Sequence, residues 1–157
     1  MPLHPLIVHF PIALLVFGAV IEILNVFFKK ETLNKFGTLL ITFGVISGIF
    51  ALLSGEGAEE FAFQNWGRGL HDQVELHSLF ANISIILFGI LAIVKIVFKH
   101  SALSWKGSGV KLINKGLISI VIVILSISGI ASLAITGDLG GKIVYENDNI
   151  IIDNTSK

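Results

Sequence analysis

The chain has 157 residues and no net charge, since 11 basic residues balance 11 acidic ones. Hydrophobic residues make up 54% and charged residues 14%, whereas an average soluble chain is about 25% charged. This composition, with a mean hydropathy of +0.86, excludes a disordered chain, a nucleic-acid binder and a typical cytosolic enzyme. The lack of cysteine excludes disulfides, thiolate metal sites, iron–sulfur clusters and covalently attached c-type haem.

Four long apolar runs predict four membrane-spanning helices. They cover residues 5–28, 36–53, 76–98 and 112–136. At 1.5 Å per residue they are about 27 to 37 Å long, against a hydrocarbon core of about 30 Å. The first run has no basic segment before it and is longer than the apolar part of a typical signal peptide, so we expect a retained helix. The predicted fold class is an all-α integral membrane bundle of four antiparallel helices.

The basic residues predict the orientation of these helices. Three of the 11 lie in the second loop and the tail, and eight lie around the first and third loops. The eight are Lys29, Lys30, Lys35, Lys95, Lys99, Lys106, Lys111 and Lys115. Because cytoplasmic loops are enriched in lysine and arginine, we expect both termini to lie outside. Nine of the 11 acidic residues would then also lie outside.

Two segments outside the apolar runs have distinct patterns. The second loop, residues 54–74, contains Phe61, Phe63 and Trp66 between glycines, which is typical of a short segment in the headgroup layer. The stretch 137–157 is polar, and we expect it to be an extracytoplasmic tail. Within it, residues 142–153 alternate weakly, which indicates a strand or a disordered end.

Four of the five histidines fall at the outer ends of the first and third helices. His9 and His77 each lie about one turn inside their helix, so we expect them in one layer of the bundle interior, with His4 and His71 above them. Ionisable residues within membrane spans are costly and are candidates for function. Two histidines on facing helices are suited to ligate a b-type haem from both sides.

Carboxylates at the end of the second helix provide an alternative. Glu56 and Glu60 are four residues apart and share a face if the helix continues through them. Together with His9 and His77 they form a ligand set suited to a divalent transition metal such as zinc, copper or iron. A structural explanation also exists, because histidines near an interface can simply bond to lipid headgroups. Glu22 is expected to reach toward the headgroups or to pair with Lys29 or Lys30.

Several segments resemble one family of small membrane proteins. HPLIVHFPIALL at the start, SGEGAEE at Ser54–Glu60, ELH at Glu75–His77 and GGKIVYE at Gly140–Glu146 resemble the domain-of-unknown-function 2231 family. The resemblance runs from Pro2 to about Glu146. It implies a prokaryotic four-helix membrane protein in which His4 and His9 match signature positions, and it brings a suspected redox or haem link.

Three functions follow as hypotheses. The first is an electron-transfer subunit that binds haem through His9 and His77, in contact with a redox partner or a larger membrane complex. The second is a metal-handling protein, favoured by the excess of acidic residues outside, which concentrates cations there. The third is a cofactor-free structural subunit. No hydrolase triad, phosphate loop or dinucleotide fingerprint is present, so we expect no independent catalytic activity.

Overall fold

The computed structural model describes residues 4–104 and 115–155, and these residues form five α-helices. The helices are α1 (His4–Phe28), α2 (Glu31–Leu53), α3 (Gly55–Trp66), α4 (His71–Ser104) and α5 (Lys115–Thr155), with a 3₁₀ turn at Arg68–Leu70 before α4. Four helical segments are long and apolar enough to cross a membrane: His4–Phe28, Glu31–Trp66, His71–Val97 and Gly116–Tyr145. The predicted all-α, four-helix membrane fold is confirmed, and the described ranges contain no strand.

Small residues let α1 and α2 pack closely. A Cβ added to Gly18 would lie 2.8 Å from Cγ1 of Ile41, and a Cβ on Gly44 would lie 2.6 Å from Cδ2 of Leu15. The contacting positions run in opposite order along the two helices, which are joined only by Lys29 and Lys30. Helices in lipid gain little from burying apolar surface against each other, so this close backbone approach supplies the packing energy.

A second pair is formed by α4 and α5. The ring of Phe88 lies over Gly129, where a Cβ would be 2.7 Å from Cζ. One layer further, the hydroxyl of Ser84 donates to Ser132 Oγ at 2.9 Å, and Ser132 donates to the Phe80 carbonyl at 3.1 Å. These bonds give the buried hydroxyls hydrogen-bond partners, which lipid hydrocarbon cannot provide.

The two pairs close into a bundle because α1 also contacts α5 and α2 also contacts α4. The shared core combines residues from all four long helices. Its buried members are Leu15, Ala19, Ile41, Phe88, Leu91, Ala92 and Leu133. The large apolar side chains that remain exposed, such as Phe17, Phe43 and Ile93, lie on the outside of the bundle, where a lipid bilayer would cover them.

The helices extend beyond the apolar runs that predicted them. α2 begins at Glu31 rather than at residue 36, and α4 runs from His71 to Ser104 rather than over 76–98. Hydropathy marks the part of a helix that lies in lipid, whereas the helix itself ends where its backbone hydrogen bonds end. Residues 112–114 of the predicted fourth helix lie outside the described residues.

The polar segment after residue 136 is helical and continues α5 to Thr155. Neither a strand nor a break appears there within the described residues. Ile143 packs against Leu70 and Val74, and Phe63 and Trp66 cover this small cluster. Because α3 and the 3₁₀ turn thus form an apolar surface above the bundle, the extension of α5 has a partner and stays helical.

Candidate functional site

Two of the candidate histidines meet at one end of the bundle. His4 is the first residue of α1, and His77 lies in the second turn of α4. Their imidazole rings are edge to face, with centroids 6.5 Å apart and planes at 82°. Both side chains are partly buried. We call these two residues the histidine pair.

Hydrogen bonds orient both rings of the histidine pair. The Nδ1–H of His77 donates to the Thr136 carbonyl at 3.0 Å, because a carbonyl can only accept. The hydroxyl of Ser54 donates to the Ala51 carbonyl at 2.7 Å, so it accepts from Nδ1–H of His4 at 2.8 Å. Both neutral rings therefore carry their proton on Nδ1, and both Nε2 atoms keep a free lone pair.

Each of these bonds joins two neighbouring helices. His4 joins the start of α1 to the residue that ends α2, and His77 joins α4 to α5. Gly140 makes room for the second contact, since a Cβ there would lie 2.9 Å from Cε1 of His77. The absence of a side chain at Gly140 thus allows an imidazole to lie against α5.

His9 is placed differently from its sequence-based position beside His77. Its side chain is exposed on α1, and its Nδ1–H donates to the Pro5 carbonyl of the same helix at 2.5 Å. His4 and His9 are five residues apart, which is about 140° around a helix. Only one of the two can therefore face His77, and in the fold that residue is His4.

The carboxylates proposed as metal ligands lie on another surface. Glu56, Glu59 and Glu60 are exposed on α3 and line a shallow pocket of about 410 Å³ with Phe63 and Gln64. The Gln64 amide donates to Oε1 of Glu60 at 3.1 Å. The structure thus separates the predicted His9–His77–Glu56–Glu60 set into three places.

Another group of three potential metal ligands lies at the start of α4. His71, Asp72 and Glu75 each offer a ligand atom, and these atoms lie within 4.8 Å of one another. All three side chains are exposed, and the His71 ring stacks on Phe63 with centroids 6.1 Å apart. Neither Asp72 nor Glu75 was among the predicted ligands, although their spacing of one and four residues from His71 indicates that they lie close to it.

A buried ion pair lies far from the histidine pair, toward the link between α1 and α2. Nζ of Lys95 on α4 is 2.6 Å from Oε2 of Glu22 on α1, and Glu22 is 1% exposed. The same ammonium donates to Oδ1 of Asn34 on α2. Gly37 is needed beside this pair, because a Cβ there would overlap the Glu22 carboxylate.

The sequence contains a signal for this pair. Glu22 and Lys95 are opposite charges near the same predicted end of two spans, and buried charges require partners. Lys29 and Lys30, the expected partners of Glu22, are exposed in the link that follows α1. Lys95 reaches Glu22 instead because it approaches from inside the bundle.

Comparison with known proteins identifies a family but no biochemical function. A family model described as a predicted membrane protein, DUF2231, matches residues 1–150. No curated protein matches the chain significantly. No solved structure does so either.

Proposed function

The chain belongs to the DUF2231 family of predicted membrane proteins, and we propose that it is an electron-transfer subunit that binds b-type haem through the histidine pair. The observation that carries the proposal is the hydrogen-bonding pattern that His4 and His77 share. Each ring donates its Nδ1–H to a fixed oxygen, which leaves Nε2 as the ligating atom. Histidines that bind metal usually have such a partner on the other nitrogen.

The number of ligands favours haem over a bare ion. A haem iron takes two axial imidazoles, whereas a small cation such as zinc usually takes four protein ligands or three and a water. Two imidazoles on one iron place their nitrogens about 4 Å apart, because each metal–nitrogen bond is near 2 Å. Ring centroids lie behind these nitrogens, so the observed 6.5 Å separation is compatible with a shared iron, and the edge-to-face rings would turn on binding so that both Nε2 atoms point at it.

His4 thus takes the place that the sequence suggested for His9 as one of the two haem ligands. The site then lies at the membrane surface rather than one turn inside it. Its orientation follows from the basic residues: we place the histidine pair and both termini on the outer side of a prokaryotic cytoplasmic membrane. A redox partner or a larger membrane complex would reach the haem from that side.

Absorption spectra of the purified protein test the proposal. In detergent, the oxidised and reduced forms should show the bands of a six-coordinate haem, with one haem per chain. His4→Ala and His77→Ala should each lose these bands or convert them to a five-coordinate spectrum. His9→Ala is the matched control and should keep them, because its ring bonds only within α1.

Other outcomes point to the two remaining functions. Colourless protein that contains a transition metal, with the metal lost in His71→Ala and kept in His4→Ala, would assign a metal-handling role to His71, Asp72 and Glu75. Protein without haem or metal after growth with both supplied would leave the histidine pair as a link between helix ends in a structural subunit.

A further inference from the structure

A group of four polar residues around the buried ion pair is separate from the histidine pair. Glu22 on α1, Asn34 on α2 and Lys95 on α4 are in contact, and Asn25 follows Glu22 by about one turn on α1; we call these four residues the charge cluster. Asn34 is held at one end, because Thr38 donates to its backbone carbonyl at 2.7 Å and Lys95 donates to its side-chain oxygen. The cluster joins three helices through polar contacts inside a membrane-spanning bundle.

The hydrogen bonds of the charge cluster are incomplete within the described residues. Oε2 of Glu22 accepts from Lys95, but Oε1 is buried and accepts from no described group. Oδ1 of Asn25 is likewise buried and has no donor there. An ammonium has three donors, and the described residues supply Lys95 with two acceptors, Glu22 and Asn34.

We propose that one water molecule is bound between Glu22, Asn25 and Lys95. It donates one hydrogen to Oε1 of Glu22 and the other to Oδ1 of Asn25, and it accepts the third hydrogen of the Lys95 ammonium. Buried waters typically make about three hydrogen bonds to polar groups that lack other partners. Glu22 and Asn25 are three residues apart and share one face of α1, so both oxygens are available to the same molecule.

Charge favours water over a bound cation in this position. Glu22 and Lys95 already neutralise each other at 2.6 Å. A sodium or similar ion would add an unpaired positive charge in a low-dielectric interior, where an uncompensated charge is costly. A neutral molecule with two donors and an acceptor meets the same bonding need without that cost.

A crystal structure of the unmodified chain grown in lipid tests the site directly. The expected result is a density peak within O–H···O hydrogen-bond distance, about 2.5–3.0 Å, of Glu22 Oε1 and Asn25 Oδ1. Absence of that peak, at a resolution where other buried waters are visible, would overturn the proposal. So would an Asn25 amide turned to donate Nδ2 directly to Glu22.

Asn25→Leu gives a thermodynamic test whose sign separates the alternatives. If water is bound, leucine displaces it and leaves Glu22 Oε1 and one Lys95 donor unpaired, so the Tm in detergent should fall by several degrees. If the site is dry, leucine removes an unpaired acceptor, and an unchanged or higher Tm would contradict the proposal.

Asn82→Leu is the matched control for this measurement. Asn82 is also an asparagine in a membrane-spanning segment, but it is exposed on α4 and donates to the Ser78 carbonyl of its own helix. Its replacement should leave the Tm unchanged or raise it. Should Asn25→Leu give no folded protein, the crystal structure of the unmodified chain decides.

Discussion

At the scale of single residues, the position of a histidine along its helix and the absence of one Cβ atom decide which histidines meet. His4 and His9 both belong to the opening motif, yet the helical rotation between them places only His4 against His77. On the other side of the ring, the missing Cβ of Gly140 provides the space that His77 occupies. The candidate site thus depends as much on a glycine as on the two imidazoles.

Gly140→Ala should therefore disturb His77. The added Cβ would lie 2.9 Å from Cε1 and push the ring away from the Thr136 carbonyl, at a cost of about 1–3 kcal/mol for overpacking. We expect a lower Tm and weaker haem binding. Thermal unfolding in detergent and haem titration measure the two effects.

Gly137→Ala is the control for this substitution. A Cβ at Gly137 would meet no atom within 4 Å, and alanine is about 1 kcal/mol more favourable than glycine within a helix. This variant should be as stable as the unmodified chain or more so. Equal losses in both variants would show that His77 does not depend on Gly140.

At the scale of helices, small residues determine how closely the elements approach. Of the two glycines spaced four apart on α2, Gly44 faces Leu15 of α1, and Gly48 faces Ile85 of α4 with Pro11 of α1 nearby. The helix is apolar on all sides, so hydrophobicity alone does not select this face. The lack of side chains selects it, because close backbone contact is possible only there.

Gly44→Ala should weaken the packing of α1 on α2. Its Cβ would lie 2.6 Å from Leu15 Cδ2 and 2.8 Å from Cγ, in the centre of the core. We expect a loss of about 1–3 kcal/mol, measured as a fall in Tm or in the midpoint of denaturation. Gly89→Ala, where no atom lies within 4 Å of the new Cβ, should cause no loss, and an equal fall there would refute the packing argument.

At the scale of the whole molecule, the polar features are divided between the two ends of the bundle. The histidine pair, the acidic surface of α3 and the group at His71 lie at one end, and the charge cluster lies toward the other. Lys29, Lys30 and Lys35 lie at the end of the bundle that holds the charge cluster, and the expected orientation rests on such basic residues. The expected orientation therefore determines which compartment can reach the histidine pair.

Single cysteines test that orientation in intact cells, since the chain has no cysteine of its own. Asn65→Cys, at an exposed position on α3, should react with a membrane-impermeant thiol reagent. Ser101→Cys and Ser104→Cys should react only after the cells are opened. The reverse pattern would invert the topology and place the histidine pair on the cytoplasmic side.

The sequence alone determined the class of the protein, because crossing a membrane depends on the length and hydropathy of each segment by itself. The spans of residues 5–28 and 36–53 could be located in this way, and so could the loop that became α3. The same local reasoning identified the histidines as the polar residues that need an explanation.

Tertiary structure decided which of these residues meet. The pairing of His4 with His77, the contact of Lys95 with Glu22 and the helical extension around Ile143 each depend on the rotation of a helix or on a partner distant in the chain. These helices are apolar on every side. Hydropathy therefore does not indicate which face of a helix points into the bundle. Close packing at small residues and polar contacts such as Lys95–Glu22 determine which face of each helix points inward.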